Sequence, residues 1–468
     1  MKRIFNLEAK DFVGKKVKLC GWVENIRWHG KIFFFDLRDK TGKIQVVFQE
    51  NKNKEIFERA KKIKKEWVIC IEGVVKKRPE RMVNPKIPTG EIEIEPEKLE
   101  IFSEAKTLPF PVETSGYEID EALRLKYRYL DLRRERLKRN LKVRQKVIQF
   151  IREFLIKEGF LEIETPILTK STPEGARDFL VPSRLYPGKF YALPQSPQQY
   201  KQLLMVAGIE RYFQIAKCLR DEDPRADRQP EFTQLDIEMS FVETEDILQL
   251  TENLFFNLVK NLFPEKKITQ FPFLRIPFKD VMKTFGCDTP DLRKEKSNPD
   301  ELAFCFVVDF PMFEWKKEEK RWGAMHHPFT KPKTKDIKEI KENPQNILAH
   351  QYDLILNGKE IGGGSLRITN LDVLLAIFEV LGHKKEEIKE KFSHYFEAFS
   401  YGVPPHGGIA IGLDRFLAIL LKEPNIREVI AFPKTGDSRD LMLDLPSEVS
   451  KEQLEELSIK IVERKNKK

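Results

Sequence analysis

The chain has 468 residues, of which 41% are hydrophobic and 34% charged, and its formal net charge is +9. This length exceeds one ordinary domain, and the apolar content is sufficient for sizeable cores, so a wholly disordered chain is excluded. No apolar run approaches the roughly 18 residues of a membrane span, so we expect no membrane association and a soluble, cytoplasmic protein. The five cysteines include no CxxC pair, which argues against a disulfide framework or a structural zinc site. The positive charge fits a polyanionic partner such as nucleic acid, although a solvated surface explains it equally well.

The first hundred residues predict a small closed β-barrel. Three strand-like runs, VKLCGWV, KIFFFDLRD and KIQVVF, are separated by turn signals at Gly30 and Thr41-Gly42, and two more follow at WVICIEGVVKKR and GEIEIEPEKLEIF. NKEIFERAKKI, between the third and fourth strands, has helical character. Five short strands in this span favour an OB-fold, which commonly binds nucleic acid. We assign this domain to residues 1–103.

The remainder predicts a larger α+β domain. Residues 104–122 lack periodicity and read as a linker, and a strong helix with apolar residues at helical spacing follows and ends at Gly159. From Phe160 onward, strand-like runs such as LEIETPIL, FTQLDIEMSFV, YDLILNG and GGIAIGL alternate with helices. Too few of these strands have a helix between them for a doubly wound parallel sheet. We therefore predict a mostly antiparallel sheet with packed helices over residues 123–468.

Two strings in this domain suit phosphate binding. CLRDEDPRADRQPEF, from Cys218 to Phe232, alternates arginines with acids, and the planar guanidinium binds phosphate or carboxylate through two hydrogen bonds. The alternative is a solvated, salt-bridged hairpin. GGIAIGLDRF places Arg415 at the start of a helix, where the helix dipole favours a bound anion. The alternative there is a tight strand-to-helix turn that needs glycine only for its geometry.

Two further strings suit cation and substrate binding. Asp353 and Glu360 flank a predicted hairpin turn at Asn357-Gly358, and carboxylates of this kind suit Mg²⁺ together with substrate phosphates. The alternative is a paired hairpin with exposed charges. His326 and His327 in AMHHPFT lack an evident third ligand, so substrate contact or helix capping is favoured over zinc.

Taken together, these strings resemble a known family. FLEIETPIL, CLRDED…RQPEF and GGIAIGLDRF resemble, in order, the three signature motifs of class II aminoacyl-tRNA synthetases. TPEGARDFLVPSR, QSPQQYKQLL, HHPFT and EIGGGSLRI look like the bacterial-type aspartyl-tRNA synthetases in particular. The resemblance implies an enzyme that uses ATP and Mg²⁺ to join L-aspartate to tRNA-Asp. It also implies an anticodon-binding OB domain and a homodimer whose interface includes the first motif, which ends at Pro166.

The resemblance also implies roles for individual residues. The catalytic pair would be Arg220, bridging the ATP α-phosphate and the substrate carboxylate, and Arg415, holding the γ-phosphate. Magnesium would be held by Asp353 and Glu360. Aspartate would be bound by Glu174, Gln198, Lys201, Arg220, Asp236, His326, His327 and Arg367. ATP would be bound by Arg220, Asp221, Glu222, Gln229, Phe232, Glu360, Gly412, Leu413, Asp414 and Arg415. The tRNA anticodon would be bound by Arg27, His29, Phe34, Gln45 and Glu93.

The chain departs from the family in one large feature. Relatives carry an inserted domain between the second and third motifs, whereas here only a short segment near 293–304 joins GCDTPDLR to FCFVVDF. We expect activity to survive, because the resemblance places no active-site residue in that insertion. Leu219 also replaces the phenylalanine more usual before the motif arginine.

Several alternatives stay open. Relatives that charge both tRNA-Asp and tRNA-Asn tend to have histidine at the position of His29, but an exposed histidine can also have no role. Phe34 lies in a run of three phenylalanines, of which strand alternation lets one or two face outward. The rival functions are an asparaginyl- or lysyl-tRNA synthetase and a non-catalytic tRNA-binding synthetase paralogue. A non-catalytic paralogue would have lost motif arginines, and Arg220, Arg367 and Arg415 are all present.

Overall fold

The structure is a computed structural model that describes residues 1–171, 176–222 and 228–462. The predicted ligand Glu174 lies outside the described residues. The chain divides into two compact units, Met1–Pro111 and Val112–Lys468. The division falls within the segment that we predicted to be a linker. No helix of the described residues is long and apolar enough to cross a membrane.

The first unit is a closed five-stranded barrel with the order β1-β2-β3-β5-β4. This confirms the predicted OB-fold, including the helix between the third and fourth strands. The elements are β1 (Lys16–His29), β2 (Ile32–Asp39), β3 (Gly42–Gln49), α1 (Lys54–Ala60), β4 (Val68–Lys77) and β5 (Ile92–Ser103).

The alternation of β2 divides its three phenylalanines between two faces. Phe33 and Phe35 are fully buried in the barrel core, whereas Phe34 between them is only partly buried on the outer face. Cys20 of β1 lies directly opposite Cys70 of β4, with the two thiol sulfurs 2.9 Å apart. All five cysteines are free thiols.

The second unit is built on an eight-stranded sheet with the order β12-β14-β17-β18-β19-β10-β9-β6. Five of its seven strand pairings are antiparallel, which confirms the predicted sheet. Its strands are β6 (Leu161–Glu162), β9 (Arg211–Leu219), β10 (Glu231–Ser240), β12 (Leu274–Pro277), β14 (Phe304–Val308), β17 (Gln351–Leu356), β18 (Lys359–Leu366) and β19 (His406–Gly412). Short two-stranded sheets are formed by β7 (Leu180–Pro182) with β8 (Phe190–Ala192), β11 (Lys267–Ile268) with β13 (Glu301–Leu302), and β15 (Phe313–Lys316) with β16 (Arg321–Ala324).

The strand predicted for LEIETPIL is much shorter than expected. Only Leu161–Glu162 pairs, in parallel with β9, and the chain leaves the sheet before Pro166. Ile163 N–H still donates to Phe213 O at 3.1 Å, and Pro166, which has no N–H, could not continue such a ladder.

Helices flank this sheet. They are α2 (Glu121–Lys126), α3 (Arg128–Asp131), α4 (Glu135–Lys157), α5 (Gln198–Val206), α6 (Thr244–Leu262), α7 (Phe278–Phe285), α8 (Ile337–Glu342), α9 (Leu371–Val380), α10 (Lys385–Lys391), α11 (Ser393–Ser400), α12 (Leu413–Leu420) and α13 (Lys451–Glu456). Helix α4 is the predicted strong helix, and it ends before Gly159, whose φ of +83° suits a residue without a Cβ.

A buried ionic cluster joins the start of this unit to its end. Asp131 is fully buried and accepts hydrogen bonds from Arg134 at 2.6 Å, Arg128 at 2.8 Å and Arg124 at 3.2 Å. Arg124 also binds Glu428 through both terminal nitrogens, at 2.7 and 3.3 Å. Burial alone would raise the pKa of Glu428, but Arg124 and Arg136, which lies 2.9 Å away, hold it at about 2. Removing one partner of such a buried ion pair typically lowers the free energy of unfolding by about 3–5 kcal/mol. The cluster therefore fixes the segment that follows α12.

Candidate active site

A cavity of about 430 Å³ lies in the second unit, lined by residues from β10, β17, β18, β19, α5 and α12 and from the loops between them. Most of the residues predicted to bind aspartate and ATP line this cavity. The exceptions among the described ones are Asp221, which is exposed, and Leu413, which is buried; the predicted magnesium ligand Asp353 is also buried and outside the lining.

One end of the cavity holds a buried network of two cations and two carboxylates. Lys201 of α5 binds Asp236 at 2.7 Å and Glu238 at 3.1 Å, both on β10. Arg367, which follows β18, binds the same Glu238 through Nε at 2.9 Å and Nη2 at 3.1 Å. All four residues are at most 3% exposed. Two neighbouring cations hold the pKa of Glu238 at about 2, so the carboxylate is ionised and fixes both cations.

The same network fixes the protonation state of His327. Arg367 Nη1 lies 2.9 Å from His327 Nε2 and 2.7 Å from Ser365 Oγ. A guanidinium only donates hydrogen bonds, so Nε2 must accept and the ring proton is on Nδ1. Burial, with Arg367 and Lys201 nearby, lowers the pKa of His327 well below its ordinary value. His327 is therefore a neutral ring whose Nδ1–H is a donor.

Among the residues that the structure describes, three polar atoms beside this network have no hydrogen-bond partner although they are shielded from solvent. They are Asp236 Oδ2, Gln198 Nε2 and His327 Nδ1. Leaving buried polar atoms unpaired is costly, and native structures seldom do so without a reason. An acceptor beside two donors suits a ligand that carries both an ammonium and a carboxylate group.

Arg220 and Phe232 form the other end of the cavity. Arg220 directly follows β9, and its guanidinium carbon lies 5.1 Å from the centre of the Phe232 ring. Its backbone N–H binds Pro230 O at 2.8 Å, which closes the strand pair at the cavity edge. A cation beside an exposed aromatic face suits a nucleotide, because the ring can stack on a base while the arginine binds a phosphate.

Gln229 and Glu222 are engaged by protein groups at this end. The Gln229 amide donates to Lys434 O at 3.1 Å and accepts from Lys434 N at 2.8 Å. These two contacts with Lys434 therefore hold the chain segment that includes Ser438, which lines the cavity. Glu222 pairs with Arg228 at 2.5 Å.

The start of α12 contributes Arg415 and Asp414 in different ways. Arg415 is partly exposed, lines the cavity and donates to Glu360 O. Asp414 is buried, accepts from Thr233 N at 2.8 Å and pairs with Arg144. The contacts of Asp414 therefore join α12 to β10 and α4, and Leu413 is fully buried in the core.

Asp353 and Glu360 lie on the hairpin of β17 and β18, joined by the predicted two-residue turn at Asn357-Gly358. Asp353 accepts from Gln351 at 3.0 Å, and a Cβ on the opposite Gly363 would lie 2.7 Å from Asp353 Oδ1. Burial and the nearby Glu360 raise the pKa of Asp353 well above its ordinary value. His326 Nε2 lies 3.6 Å from Asp353 Oδ2, but burial lowers the pKa of His326 and so disfavours its charged form. Two neighbouring carboxylates of this kind suit a divalent ion. Three-ligand clusters of His, Cys, Asp or Glu are absent from the described ranges, so any such ion would depend on other ligands, such as phosphate.

The residues predicted to bind an anticodon lie on the outer face of the first unit. Arg27 Nη2 binds Asp36 at 3.0 Å and Gln45 at 3.2 Å, and Gln45 binds Glu93 at 3.2 Å. Phe34 pairs with Arg27 across β1 and β2. His29 is exposed at the end of β1.

Sequence reasoning missed Glu238, the residue that holds both cations of the network. A signal was available in LDIEM, where two acids two positions apart point to the same face of an otherwise apolar strand. Gln351 and Ser438 were also missed, and nothing in their local sequence distinguishes them.

Comparisons with known proteins agree with this geometry. Residues 120–436 match the family described as tRNA synthetases class II (D, K and N), and residues 17–102 match the OB-fold nucleic acid binding domain. The aspartate–tRNA(Asp/Asn) ligase of Caldanaerobacter subterraneus subsp. tengcongensis is 44% identical over 97% of both chains. The chain belongs to the class II aminoacyl-tRNA synthetases, among the aspartate–tRNA ligases.

Two further relatives support this assignment. The aspartate–tRNA ligase of Staphylococcus carnosus is 40% identical over 97% of this synthetase and 98% of its own length. The crystal structure of asparaginyl-tRNA synthetase from Pyrococcus horikoshii, complexed with asparaginyl-adenylate, superposes with a TM-score of 0.75 at 27% identity. That match covers 93% of this chain and 98% of the other.

This synthetase is shorter than the Caldanaerobacter ligase that it matches. The alignment with the Caldanaerobacter ligase spans 578 positions, so a chain of 468 residues leaves at least 110 of them empty. In the structure, a short connection runs from Arg293 to Asp300. It is held by Glu301, which accepts from Lys294 N at 2.9 Å and Glu295 N at 3.0 Å.

We expect the substitution Glu238→Gln to weaken aspartate binding selectively. The amide keeps the shape of Glu238 but removes the charge that aligns Lys201 and Arg367, and charge-assisted hydrogen bonds contribute about 1.5–3 kcal/mol. The KM for aspartate in ATP–pyrophosphate exchange should rise at least about tenfold, with the KM for ATP nearly unchanged. Glu210→Gln, at an exposed glutamate just before β9, is the control. Equal changes in both KM values would indicate a general loss of structure and contradict the assigned role.

Proposed function

We propose that this chain activates L-aspartate with ATP and transfers it to tRNA-Asp through the residues of the cavity. The observation that carries the proposal is the buried Lys201–Asp236–Glu238–Arg367 network with its unpaired donor and acceptor atoms. Lys201, Arg367 and His327 Nδ1–H would bind the aspartate side-chain carboxylate. Asp236, with Gln198 nearby, would bind its ammonium group.

Rejection of asparagine follows from the same donors. Each of the three groups that would meet the side chain can only donate a hydrogen bond, because His327 is held as the Nδ1–H form. The amide nitrogen of asparagine would bring a donor against a donor in a buried site. A site built around such polar groups can discriminate between two substrates by a factor of as much as about 10⁴ to 10⁵ in kcat/KM.

The reaction requires positioning and charge neutralisation rather than a protein nucleophile. The α-carboxylate of aspartate attacks the α-phosphorus of ATP, the bond to the β-phosphate oxygen breaks, and aspartyl-adenylate and pyrophosphate form. Arg220 would neutralise charge at the α-phosphate and Arg415 at the γ-phosphate, with Phe232 stacked on adenine. The terminal adenosine hydroxyl of tRNA then attacks the aspartyl carbonyl and AMP leaves.

Asp353 and Glu360 would hold Mg²⁺ together with the ATP phosphates. The raised pKa of Asp353 beside Glu360 supports this, since a divalent cation would neutralise the two close carboxylates. When bound, the ion supplies charge neutralisation to the triphosphate.

The charge distribution supports a tRNA-binding role for the first unit. Residues 1–111 contain 25 Lys and Arg against 17 Asp and Glu, so this quarter of the chain carries +8 of the net +9. A basic OB-fold with Arg27, Phe34, Gln45 and Glu93 on its outer face suits unstacked anticodon bases. Charged tRNA is consumed by ribosomes, so the proposed activity belongs in the cytoplasm.

We also propose that tRNA-Asn is charged. The Caldanaerobacter ligase, at 44% identity, is named for both tRNAs, and His29 is exposed beside the anticodon-binding face. The two anticodons differ in their last base, and a side chain at this turn can set how strictly that base is read.

Aspartate charging of tRNA-Asp and tRNA-Asn transcripts by the purified protein tests both proposals. We expect charging of both, and we expect His29→Leu to lower the kcat/KM ratio of tRNA-Asn to tRNA-Asp by about tenfold, or ~1.4 kcal/mol. Lys31→Leu, on the same turn and with a side chain 86% exposed, should leave the ratio unchanged. Charging of tRNA-Asp alone would refute the relaxed specificity, and charging of neither would refute the function.

We propose that the chain forms a homodimer through the surface around β6. Four aliphatic residues between positions 156 and 168 are about half exposed, namely Ile156, Leu161, Ile167 and Leu168. β6 is also an edge strand of the sheet. An apolar patch at an open sheet edge is stabilised when another surface covers it. In a twofold-symmetric dimer, the same patch of the second copy provides that surface.

Sedimentation velocity at micromolar concentration tests the dimer. The unmodified protein should sediment as a dimer, and the double variant Leu161→Glu, Leu168→Glu as a monomer, because each charge would be buried unpaired. Tyr401→Glu, at a position that is 80% exposed in the same unit, should remain dimeric. A monomeric unmodified protein would refute the proposal.

Two rival functions are less well supported. The family model covers aspartate, lysine and asparagine enzymes, but the donor-only side-chain site disfavours asparagine. A non-catalytic paralogue would not need Arg220, Arg367 and Arg415, all of which are retained around the cavity.

A further inference from the structure

An exposed tryptophan lies at the end of the barrel, beside the proposed anticodon-binding face. Trp28 is 50% exposed, next to the turn that joins β1 to β2. Half-exposed tryptophans are informative, because their large apolar surface is usually buried. The predicted anticodon contacts did not include Trp28.

Two aromatic rings of the barrel unit hold the Trp28 ring in place. Its centre lies 4.3 Å from that of Phe33, which is fully buried, and 6.3 Å from that of Phe57 of α1 in an edge-on contact. The side chain therefore covers the end of the barrel core with one part of its surface and offers the other part to solvent. Such a ring is preorganised for stacking, since little rotational freedom remains to be lost.

Several lysines lie on the segments that adjoin this ring, and two of them are paired with glutamates. Lys61 Nζ lies 4.9 Å from the centre of Phe57, and exposed Lys62 and Lys64 follow it. Lys31, on the adjoining turn, has a side chain 86% exposed. An exposed aromatic ring bordered by lysines is the usual composition of a surface that binds single-stranded nucleic acid.

The position of Trp28 relative to the anticodon-binding face follows from strand alternation. Arg27 and Phe34 point to the outer face, and Trp28, one residue later, points to the opposite side at the rim of the barrel. A base that leaves the outer face across the β1–β2 turn would therefore meet Trp28. The loop that joins the first two strands is a frequent nucleic-acid contact in OB-folds.

We propose that Trp28 stacks on an unpaired nucleobase of the tRNA anticodon loop that adjoins the three anticodon bases. The inference rests on the proposed tRNA-binding function. It assigns Trp28 a contact that does not depend on base identity, because every base presents a π-face. Trp28 thereby adds affinity and fixes the path of the loop, whereas Arg27, Gln45 and Glu93 read the anticodon.

Binding of an anticodon stem-loop RNA of tRNA-Asp to the full-length protein tests the inference. Trp28→Ala should weaken binding by about 5- to 100-fold, and Trp28→Phe should retain most of the affinity. Trp315→Ala, which removes a tryptophan of almost equal exposure (49%) from the second unit, should have no effect. Aspartate-dependent pyrophosphate exchange should be unchanged in all three variants.

Abasic stem-loops separate stacking from a purely structural role. Removing the one flanking base that stacks should lower the affinity of the unmodified protein for the stem-loop as much as Trp28→Ala does. The same removal should lower the affinity of the Trp28→Ala variant almost no further. Two results would overturn the inference and leave the proposed function intact. One is that the affinity losses from Trp28→Ala and from base removal add at both flanking positions. The other is that Trp28→Ala binds with wild-type affinity while Phe34→Ala loses binding. No binding of the stem-loop by the unmodified protein would overturn both.

Discussion

The catalytic unit depends on one buried electrostatic arrangement, the sharing of Glu238 between Lys201 and Arg367. Two cations on different elements, α5 and the end of β18, are held at fixed separation by one carboxylate on β10. Burying four charges is costly unless every charge is paired and hydrogen-bonded. The atoms that stay unpaired among the described residues are therefore the informative ones, because they are the donors and the acceptor on which the proposed aspartate site rests.

The rest of the catalytic fold keeps this arrangement in place. The central sheet brings β10, β18 and β19 side by side, and glycines provide space for the acids. A Cβ on Gly408 would lie 2.3 Å from Glu238 Oε2, and one on Gly363 would lie 2.7 Å from Asp353 Oδ1. These two glycines leave space for carboxylates, whereas the other glycines of the two runs face the backbone or apolar side chains of neighbouring strands. The ionic cluster of Asp131 and Glu428 holds the segment after α12, next to Arg415.

The sequence predicted the domains and strands well because their signals are local. Alternation in KIFFFDLRD and the Asn357-Gly358 turn each depend on a few adjacent residues, and the structure has both. The strand at LEIETPIL was overextended, because apolar content alone does not reveal that only Leu161–Glu162 pairs with β9. The role of Glu238 depends on Lys201 and Arg367, which are distant in the chain, so only the folded sheet reveals it. The contacts of Gln229 with Lys434 could not be predicted for the same reason.

The most direct measurement is ATP–pyrophosphate exchange by the full-length protein with aspartate and with asparagine at saturating ATP and Mg²⁺. The buried donor-only site predicts exchange with aspartate and a kcat/KM for asparagine lower by about 10⁴ or more. Equal or faster exchange with asparagine would contradict the assignment of Lys201, Arg367 and His327 to the side-chain carboxylate. Exchange with neither amino acid would contradict the catalytic account as a whole.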